Sequence, residues 1–180
     1  MGSTTARLRD LAAPRGRRAA PGELATGLAV VGGSVLASAL LSARYSPAPT
    51  NPPERRFYKR LDKPGFTPPD SAFAIWGPLY AALVLSGLRV WNAPAGPARQ
   101  RALGHWFGIQ GLNALWLWLG FGQRRLGAMT AESVVTVANA AAYVDAARRV
   151  DPPAAWLAVP YLAWIGFAGL LSEELWRRNP

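Results

Sequence analysis

The residues of this chain whose types could recognise a ligand are aromatic side chains and one asparagine at helical spacing. Residues three, four or seven positions apart share one face of a helix. The sets with that spacing are Phe73, Trp76 and Tyr80; Asn113 and Trp116; and Trp164 and Ala168. Each aromatic pair contributes about 0.5–1.5 kcal/mol, and a placed amide fixes the orientation of a ligand. These sets therefore predict an aromatic-walled cavity for a small hydrophobic ligand, and an aromatic belt at the lipid head groups is the alternative.

A basic, proline-rich segment precedes the first of these sets. It runs from Phe57 to Pro69, and its last six residues hold three prolines. Proline fixes φ and pushes the preceding residue into an extended conformation, so helix is excluded at these prolines. This segment is the second part of the connection at 45–69, which we predict to be a long, stiff loop that caps the cavity. Arg60 and Lys63 in this loop could pair with acidic substituents of a ligand, and contact with lipid head groups is the alternative.

Five apolar segments are the elements that must position these residues. Each matches the roughly 20 residues that cross about 30 Å of hydrocarbon. The segments are Leu24–Leu41, Ser71–Leu88 and Pro152–Ser172 without a charged residue, Ala102–Gln123 with His105, and Leu126–Val144 with Glu132. The sequence therefore predicts an all-α integral membrane protein, a bundle of five transmembrane helices. The expected spans are about 24–43, 71–91, 99–121, 126–147 and 154–176.

The net charge of +10 does not indicate nucleic-acid binding. The basic residues lie in short loops beside apolar segments, where anionic lipid head groups are the expected neighbours, and no nucleic-acid-reading motif is visible. They divide evenly between the two sides of the predicted bundle, so the positive-inside rule gives no orientation. Residues 1–22 predict a basic, disordered tail before a membrane domain at 23–180. The absence of cysteine excludes disulfides and thiolate metal sites.

Catalysis has little support in the sequence. His105 falls in the half of its helix away from the predicted cavity, which makes it a poor axial ligand for haem. Glu132 lies about two turns into its helix, where snorkelling or protonation would account for an acid. No nucleophile–base pair and no cluster of metal ligands is visible. We therefore predict no catalytic residue, no metal and no cofactor.

The order of the motifs resembles the TspO/translocator protein family of tryptophan-rich sensory proteins. The likeness covers about Leu24 to Asn179. Its elements are Tyr58 with Lys63-Pro64, Thr67-Pro68-Pro69, Ile75-Trp76 through Leu79-Tyr80, Gln110, Asn113 and Trp116, Pro160-Tyr161, Trp164 and Phe167-Ala168. Two positions depart from the family pattern: Phe66 stands where Trp is usual, and Ser172 where Asn is usual.

The resemblance implies a five-helix bundle, a homodimer in most members, that binds tetrapyrroles such as protoporphyrin in an intramembrane pocket. Some members bind sterol-like or benzodiazepine-type ligands, and the membrane is the bacterial cell envelope or the mitochondrial outer membrane. A receptor or sensor with a transport or regulatory role is the first interpretation. The alternatives are a light-dependent porphyrin-degrading enzyme that uses Trp76 and Trp164, and a sterol or lipid carrier.

The residues expected to bind the ligand share a position on the predicted cavity wall or its cap. They are Tyr58, Phe66, Trp76, Tyr80, Asn113, Trp116, Trp164 and Ala168, with Arg60 and Lys63 as contacts for ligand carboxylates.

Overall fold

From Pro21 onward the chain forms six helices, not the five predicted. The structure is a computed structural model that describes residues 6–7, 10–14, 16–17 and 19–180, with only the backbone described at position 73. The helices are α1 (Pro21–Ala43), α2 (Pro52–Arg60), α3 (Asp70–Trp91), α4 (Pro97–Leu117), α5 (Leu126–Val150) and α6 (Pro152–Arg178). A π-helical stretch interrupts α1 at Leu28–Gly32 and another extends α4 over Trp118–Gly122.

The additional helix, α2, lies inside the predicted loop. It has nine residues, which at 1.5 Å per residue gives about 14 Å, too short to cross a bilayer. Pro52 and Pro53 occupy its first turn, where a missing N–H costs nothing. Glu54 in the first turn and Lys59 and Arg60 in the last complement the helix dipole. The predicted loop at 45–69 therefore contains a helix over Pro52–Arg60.

Three helices of the described chain, α1, α3 and α6, are long and apolar enough to cross a membrane. The helices α4 and α5 are also long, at 21 and 25 residues. They carry polar side chains within their length, and Gln110 and Glu132 are buried in the bundle. Polar residues at membrane depth face the bundle interior rather than lipid, so these two helices are polar where they face their neighbours.

The half of the bundle around the end of α3 is tightly packed. Trp106 is fully buried and donates from Nε1 to the carbonyl of Leu83 at 3.1 Å. Ser86 accepts from the Tyr143 hydroxyl at 2.6 Å and donates to the carbonyl of Ala154 at 2.7 Å. We call this region, built on these five residues, the packed half. Its polar atoms are paired, so it joins α3, α4, α5 and the start of α6 as one unit.

Helix α1 is fastened to α4 by two serines. Ser38 donates to the carbonyl of Gln110 at 2.8 Å, and Ser42 donates to the carbonyl of Asn113 at 2.7 Å. Small residues allow the close approach that such bonds need. The contact leaves the last turns of α1 beside the polar residues of α4.

The described residues between 10 and 20, called the N-terminal segment here, pack on the end of the bundle where α3 finishes. Ala12, Ala13 and Ala19 are buried. The guanidinium of Arg89 donates to the carbonyl of Leu11, and Asn92 donates to that of Ala12, both at 2.8 Å. The predicted disordered tail also includes residues 1–5, 8–9, 15 and 18, which lie outside the described part. The described residues between 10 and 20 are packed on the bundle instead. Composition could not indicate this, because it contains no information about the partners of these residues.

Candidate functional site

Two neighbouring cavities lie in the half of the bundle opposite the packed half. The larger, which we call the main cavity, has a volume of about 280 Å³ and is lined by all five long helices. Its walls include Ala39, Ser42 and Ala43 of α1, Trp76 and Tyr80 of α3, Asn113, Trp116 and Leu117 of α4, Glu132, Ser133 and Thr136 of α5, and Ile165 and Ala168 of α6. The site therefore depends on every one of these helices being in place.

The smaller cavity, the lid cavity, has a volume of about 80 Å³ and lies beneath the proline-rich segment. Tyr58, Pro68 and Pro69 line it from the side of that segment, and Trp164 and Phe167 from α6. The residues common to both cavities are Pro47, Trp76, Trp116, Leu117 and Ala168. Since the same side chains border both spaces, the two cavities are direct neighbours.

The rings of the site hold one another in place. Trp76 stacks on Tyr80 with centroids 5.4 Å apart and an interplanar angle of 29°. Trp164 meets Trp76 edge to face at 6.2 Å and lies tilted on Phe167 at 5.5 Å. Offset-stacked and edge-to-face pairs are the favoured aromatic geometries. The aromatic network thus extends from α3 to α6 and forms a rigid wall of the site.

The capping helix α2 is held by rings as well. Phe57 and Tyr58 both lie edge-on to Phe121, with centroids 6.2 and 5.8 Å apart. Burial raises the pKa of the Tyr58 hydroxyl, and the Asp70 carboxylate adds to this effect. The hydroxyl therefore keeps its proton in the neutral range and remains a hydrogen-bond donor at the lid cavity.

Seven of the eight predicted ligand-binding residues line these cavities. Trp76, Trp116 and Ala168 line both, Tyr80 and Asn113 line the main cavity, and Tyr58 and Trp164 line the lid cavity. Their contact with a ligand remains a prediction.

Phe66 does not line either cavity. It is 50% exposed and rests its ring edge-to-face against Phe167 at 6.2 Å. A residue in an irregular segment has no helical spacing to fix its direction, which is why its position could not be inferred. Phe73, expected on the face of Trp76, has a side chain outside the described residues.

Arg60 and Lys63, the predicted contacts for ligand carboxylates, also lie outside both cavities. The ammonium of Lys63 sits 4.6 Å from the ring centroid of Tyr58 and donates to the carbonyl of Leu61 at 3.1 Å. It thus supports a cavity residue without reaching the cavity itself.

Two polar side chains of the main cavity retain unused hydrogen-bonding atoms. Asn113 accepts from the Tyr161 hydroxyl at 2.7 Å through Oδ1, while its Nδ2 has no partner. Glu132 accepts from Thr136 through Oε1, while its Oε2 has no partner. In the lid cavity the Trp164 indole N–H is also unpaired. Buried polar atoms are ordinarily satisfied, so these three atoms are exceptions to the usual pairing.

Glu132 is the site residue that sequence reasoning missed. Snorkelling to the head groups is wrong for it, because the residue is only 6% exposed and lies inside the bundle. Distance from the helix end could not show which way its helix faces. The spacing of Glu132, Ser133 and Thr136 was the available signal, since a run of polar residues on one helix face in an apolar segment points inward.

His105 lies elsewhere, as the sequence indicated. Its Nδ1 is 2.9 Å from Asn139 Oδ1, and Asn139 Nδ2 donates back to the His105 carbonyl at 2.9 Å. It borders a separate cavity of about 140 Å³ with Arg101 and Arg149. Within the described part of the chain, no group of three His, Cys, Asp or Glu could hold a metal ion.

Known proteins resemble this chain over most of its length. The TspO/MBR family model matches residues 26–177. The translocator proteins of Bos taurus and Ovis aries are each 39% identical over 127 residues, which is 69% of this chain and 75% of theirs. The tryptophan-rich sensory protein of Cereibacter sphaeroides is 32% identical over 124 residues, covering 68% of this chain and 77% of its own.

Proposed function

Because the chain belongs to the TspO/MBR family, we propose that it is a membrane receptor or sensor for a flat hydrophobic ligand of the tetrapyrrole class. The ligand occupies the main cavity and the lid cavity together, under α2. Sterol-like and benzodiazepine-type molecules are further candidates of similar apolar character. The names of the relatives, translocator and sensory protein, support a role in sensing or transport.

The membrane domain in this proposal is a bundle of five spans, α1, α3, α4, α5 and α6. At 1.5 Å per residue, the 21 residues of α4 and the 25 of α5 extend about 32 and 38 Å, enough to cross roughly 30 Å of hydrocarbon. We also propose a homodimer, by resemblance to the family, and analytical ultracentrifugation in detergent tests it.

The observation that carries the proposal is the shared aromatic wall. Trp76 and Trp116 border both cavities, and Trp76 contacts Tyr80 and Trp164. A ligand dissolved in lipid gains little by entering another apolar medium, so burial alone gives little affinity. Ring stacking and placed hydrogen-bonding groups must supply it, and this wall offers both. The volume of the main cavity alone is close to about 300 Å³, the lower end of the range for ligand sites. A tetrapyrrole would therefore have to occupy both cavities.

Arg60 and Lys63 have a narrower role here than the sequence suggested. Since neither lines a cavity, they can reach only those ligand carboxylates that project past α2 toward the head groups. Such charge-assisted contacts would be strong where they form.

Protoporphyrin IX titrated into the detergent-solubilised protein, with tryptophan fluorescence as the readout, tests the proposal. We expect the double variant Trp76→Leu, Trp164→Leu to bind about 10-fold to 100-fold more weakly, since at least two ring contacts of about 0.5–1.5 kcal/mol each are lost. The matched control is Trp156→Leu, Trp176→Leu. These rings are 74% and 48% exposed and line neither cavity, and the control loses the same number of fluorophores.

Three results would count against this proposal. Equal affinity in the two double variants would reject this site. A new absorbing product that forms on illumination, and is lost in the Trp76, Trp164 variant, would favour a porphyrin-degrading enzyme. Binding of a sterol without any binding of porphyrin would favour a sterol or lipid carrier.

A further inference from the structure

The separate cavity of about 140 Å³ beside His105, called the polar cavity here, lies between α4 and α5. Its charged and polar lining residues are Arg101 and His105 of α4 and Asp145 and Arg149 of α5. The other residues that line it are alanines. None of these residues lines the main cavity or the lid cavity. The polar cavity therefore has no part in the function proposed above.

Hydrogen bonds between α4 and α5 fix the inner end of the polar cavity. His105 Nδ1 lies 2.9 Å from Asn139 Oδ1, and Asn139 Nδ2 donates to the His105 carbonyl at 2.9 Å. A Cβ atom at Gly108, three residues further along α4, would lie 3.0 Å from Asn139 Nδ2, so the two helices approach each other closely there. The polar cavity is therefore a recess between two helices that are joined at its base.

The charges at the polar cavity favour an anion. The Asp145 carboxylate is shared by Arg149 at 2.6 Å and Arg148 at 3.1 Å. Within the described part of the chain, the guanidinium of Arg101 forms no hydrogen bond and no ion pair. Three guanidinium groups are thus balanced by one carboxylate. Exposed ion pairs contribute only about 0–1 kcal/mol, and the Arg149 side chain is 62% exposed, so Arg149 is free to share its charge with a second anion.

The position of the polar cavity along the helices indicates the source of the anion. Arg101 is the fifth residue of α4 (Pro97–Leu117), and Arg149 is the last but one of α5 (Leu126–Val150). At 1.5 Å per residue, both lie within about 6 Å of a helix end, and His105 lies about 12 Å from the start of α4. The two arginines are therefore at the level of the lipid head groups if α4 and α5 span the bilayer. Basic pockets between membrane helices bind phosphate-bearing head groups.

We propose that the polar cavity is a phosphate site at the membrane surface, in which Arg101 and Arg149 bind the phosphate of an anionic lipid head group. The planar guanidinium group matches phosphate oxygens in a two-pronged geometry. The inference rests on the proposed five-span arrangement, which places the site among head groups, and not on the ligand of the main cavity. A soluble phosphate offers the same chemistry, and the test distinguishes the two sources.

Thermal unfolding of the full-length protein in dodecyl maltoside measures the binding, because a ligand that binds only the folded state raises the unfolding temperature. Separate samples receive phosphatidylglycerol, phosphatidylcholine or inorganic phosphate. Phosphatidylcholine is the control for lipid, since its ammonium group balances the charge of its phosphate. We expect phosphatidylglycerol to raise the unfolding temperature by about 3 °C or more above phosphatidylcholine at equal mole fraction, the shift for a ligand at about ten times its Kd in a chain of this size.

The source of the phosphate follows from the same samples. A rise with phosphatidylglycerol but not with millimolar inorganic phosphate supports the site with a lipid as its ligand. A rise with inorganic phosphate as large as that with phosphatidylglycerol supports the site with a soluble phosphate as its ligand. No rise with either one overturns the inference.

Two double variants test whether the two arginines carry the effect. In Arg101→Gln, Arg149→Gln we expect at least two-thirds of the shift to be lost. The matched control, Arg44→Gln, Arg56→Gln, removes the same charge from two exposed arginines that line none of the three cavities, and it should keep the shift. Each shift is measured from the variant's own unfolding temperature, so a change in basal stability does not affect it. Equal shifts in the two double variants overturn the inference, since charge spread over the whole surface would then explain them.

A third variant tests the cavity rather than the charge. Ala142→Leu keeps every charge and enlarges a side chain on the wall of the polar cavity, so it should also reduce the shift by at least half. An undiminished shift in this variant would place the phosphate outside the polar cavity and overturn the inference.

The outcome is separable from that of the proposed function. Arg101→Gln, Arg149→Gln should bind protoporphyrin IX within about threefold of the unmodified chain, because neither residue lines the main or the lid cavity. Protoporphyrin binding without a shift that depends on these arginines removes this inference alone. A shift that depends on them, without protoporphyrin binding, supports the phosphate site and rejects the tetrapyrrole proposal.

Discussion

Gly87 lies at a position where the packed half leaves no room for a side chain. A Cβ atom at this position would lie 2.6 Å from the indole of Trp106, which is fully buried. The indole N–H is bonded to the carbonyl of Leu83, so the ring cannot withdraw without losing that bond. The close approach of Trp106 in α4 to the backbone of α3 therefore requires a glycine at position 87.

Gly87→Ala should lower the stability of the protein by about 1–3 kcal/mol, the usual cost of forcing extra volume into a packed core. Thermal unfolding in detergent, followed by circular dichroism, measures the change. Gly104→Ala in α4 is the matched control, because a Cβ there meets nothing within 4 Å. Equal unfolding temperatures for the two variants would show that the ring of Trp106 moves freely, contrary to this prediction.

At the scale of residues, the sequence predicted side chains whose direction helix geometry fixes. Trp76 and Tyr80 stack as their spacing implies. It missed Glu132, whose inward direction was indicated only by the polar residues Ser133 and Thr136 near it on α5. It also failed at Phe66, because this residue lies outside the helices and its side-chain direction does not follow a regular spacing. Spacing thus orients residues within one helix, while the relation between helices requires the structure.

Among the elements, the start of α6 is fixed by one buried ion pair. Asp151 accepts from Arg89 Nε at 2.6 Å and from Nη2 at 3.1 Å. The same carboxylate accepts from the backbone N–H of Ala154 and so caps α6. The Arg89 guanidinium also holds the N-terminal segment through Leu11. Three separate pieces of the chain are therefore joined at this pair.

Asp151→Asn should reduce stability by about 3–5 kcal/mol, because the change leaves the buried guanidinium of Arg89 without its charge partner. Asp145→Asn is the control: its carboxylate pairs with Arg148 and Arg149, which are well exposed, and exposed pairs contribute about 0–1 kcal/mol. The two unfolding temperatures, measured in the same detergent, provide the comparison. A larger loss for Asp145→Asn would contradict this account of the pair.

The long helices could be anticipated because apolar length and flanking prolines are visible in the sequence. The expected spans of 71–91 and 154–176 correspond to Asp70–Trp91 and Pro152–Arg178. Helix α2 was missed, although the prolines of its first turn and the charges at its two ends are sequence signals of a helix. Its rings Phe57 and Tyr58 rest on Phe121 of a distant segment, and the prolines around it suggested an irregular chain.

For the whole molecule, the N-terminal segment and the ligand cavities lie at opposite ends of the bundle. Arg89, which binds the segment, is thirteen residues beyond Trp76 in α3, about 20 Å along the helix. Stability and ligand binding should therefore respond separately to changes at the two ends.

Deleting residues 1–20 should lower the unfolding temperature, because Arg89 loses the carbonyl of Leu11 and Asn92 loses the carbonyl of Ala12 as hydrogen-bond acceptors. The affinity for protoporphyrin IX should remain within about threefold of the full chain, since no residue of the segment lines either cavity. Fluorescence titration and thermal unfolding of the same preparations test both statements. A tenfold loss of affinity in the shortened protein would show that the two ends are coupled.

The packed half also bears on whether a ligand could pass through the bundle. Among the described residues, Leu83, Trp106 and Tyr143 are fully buried below the main cavity, and Ser86 ties Tyr143 to α6. Buried side chains therefore close the side of the main cavity that faces the packed half. A ligand that passed through the packed half would have to move Trp106 away from Gly87, whereas a ligand that enters and leaves without crossing it keeps this packing intact.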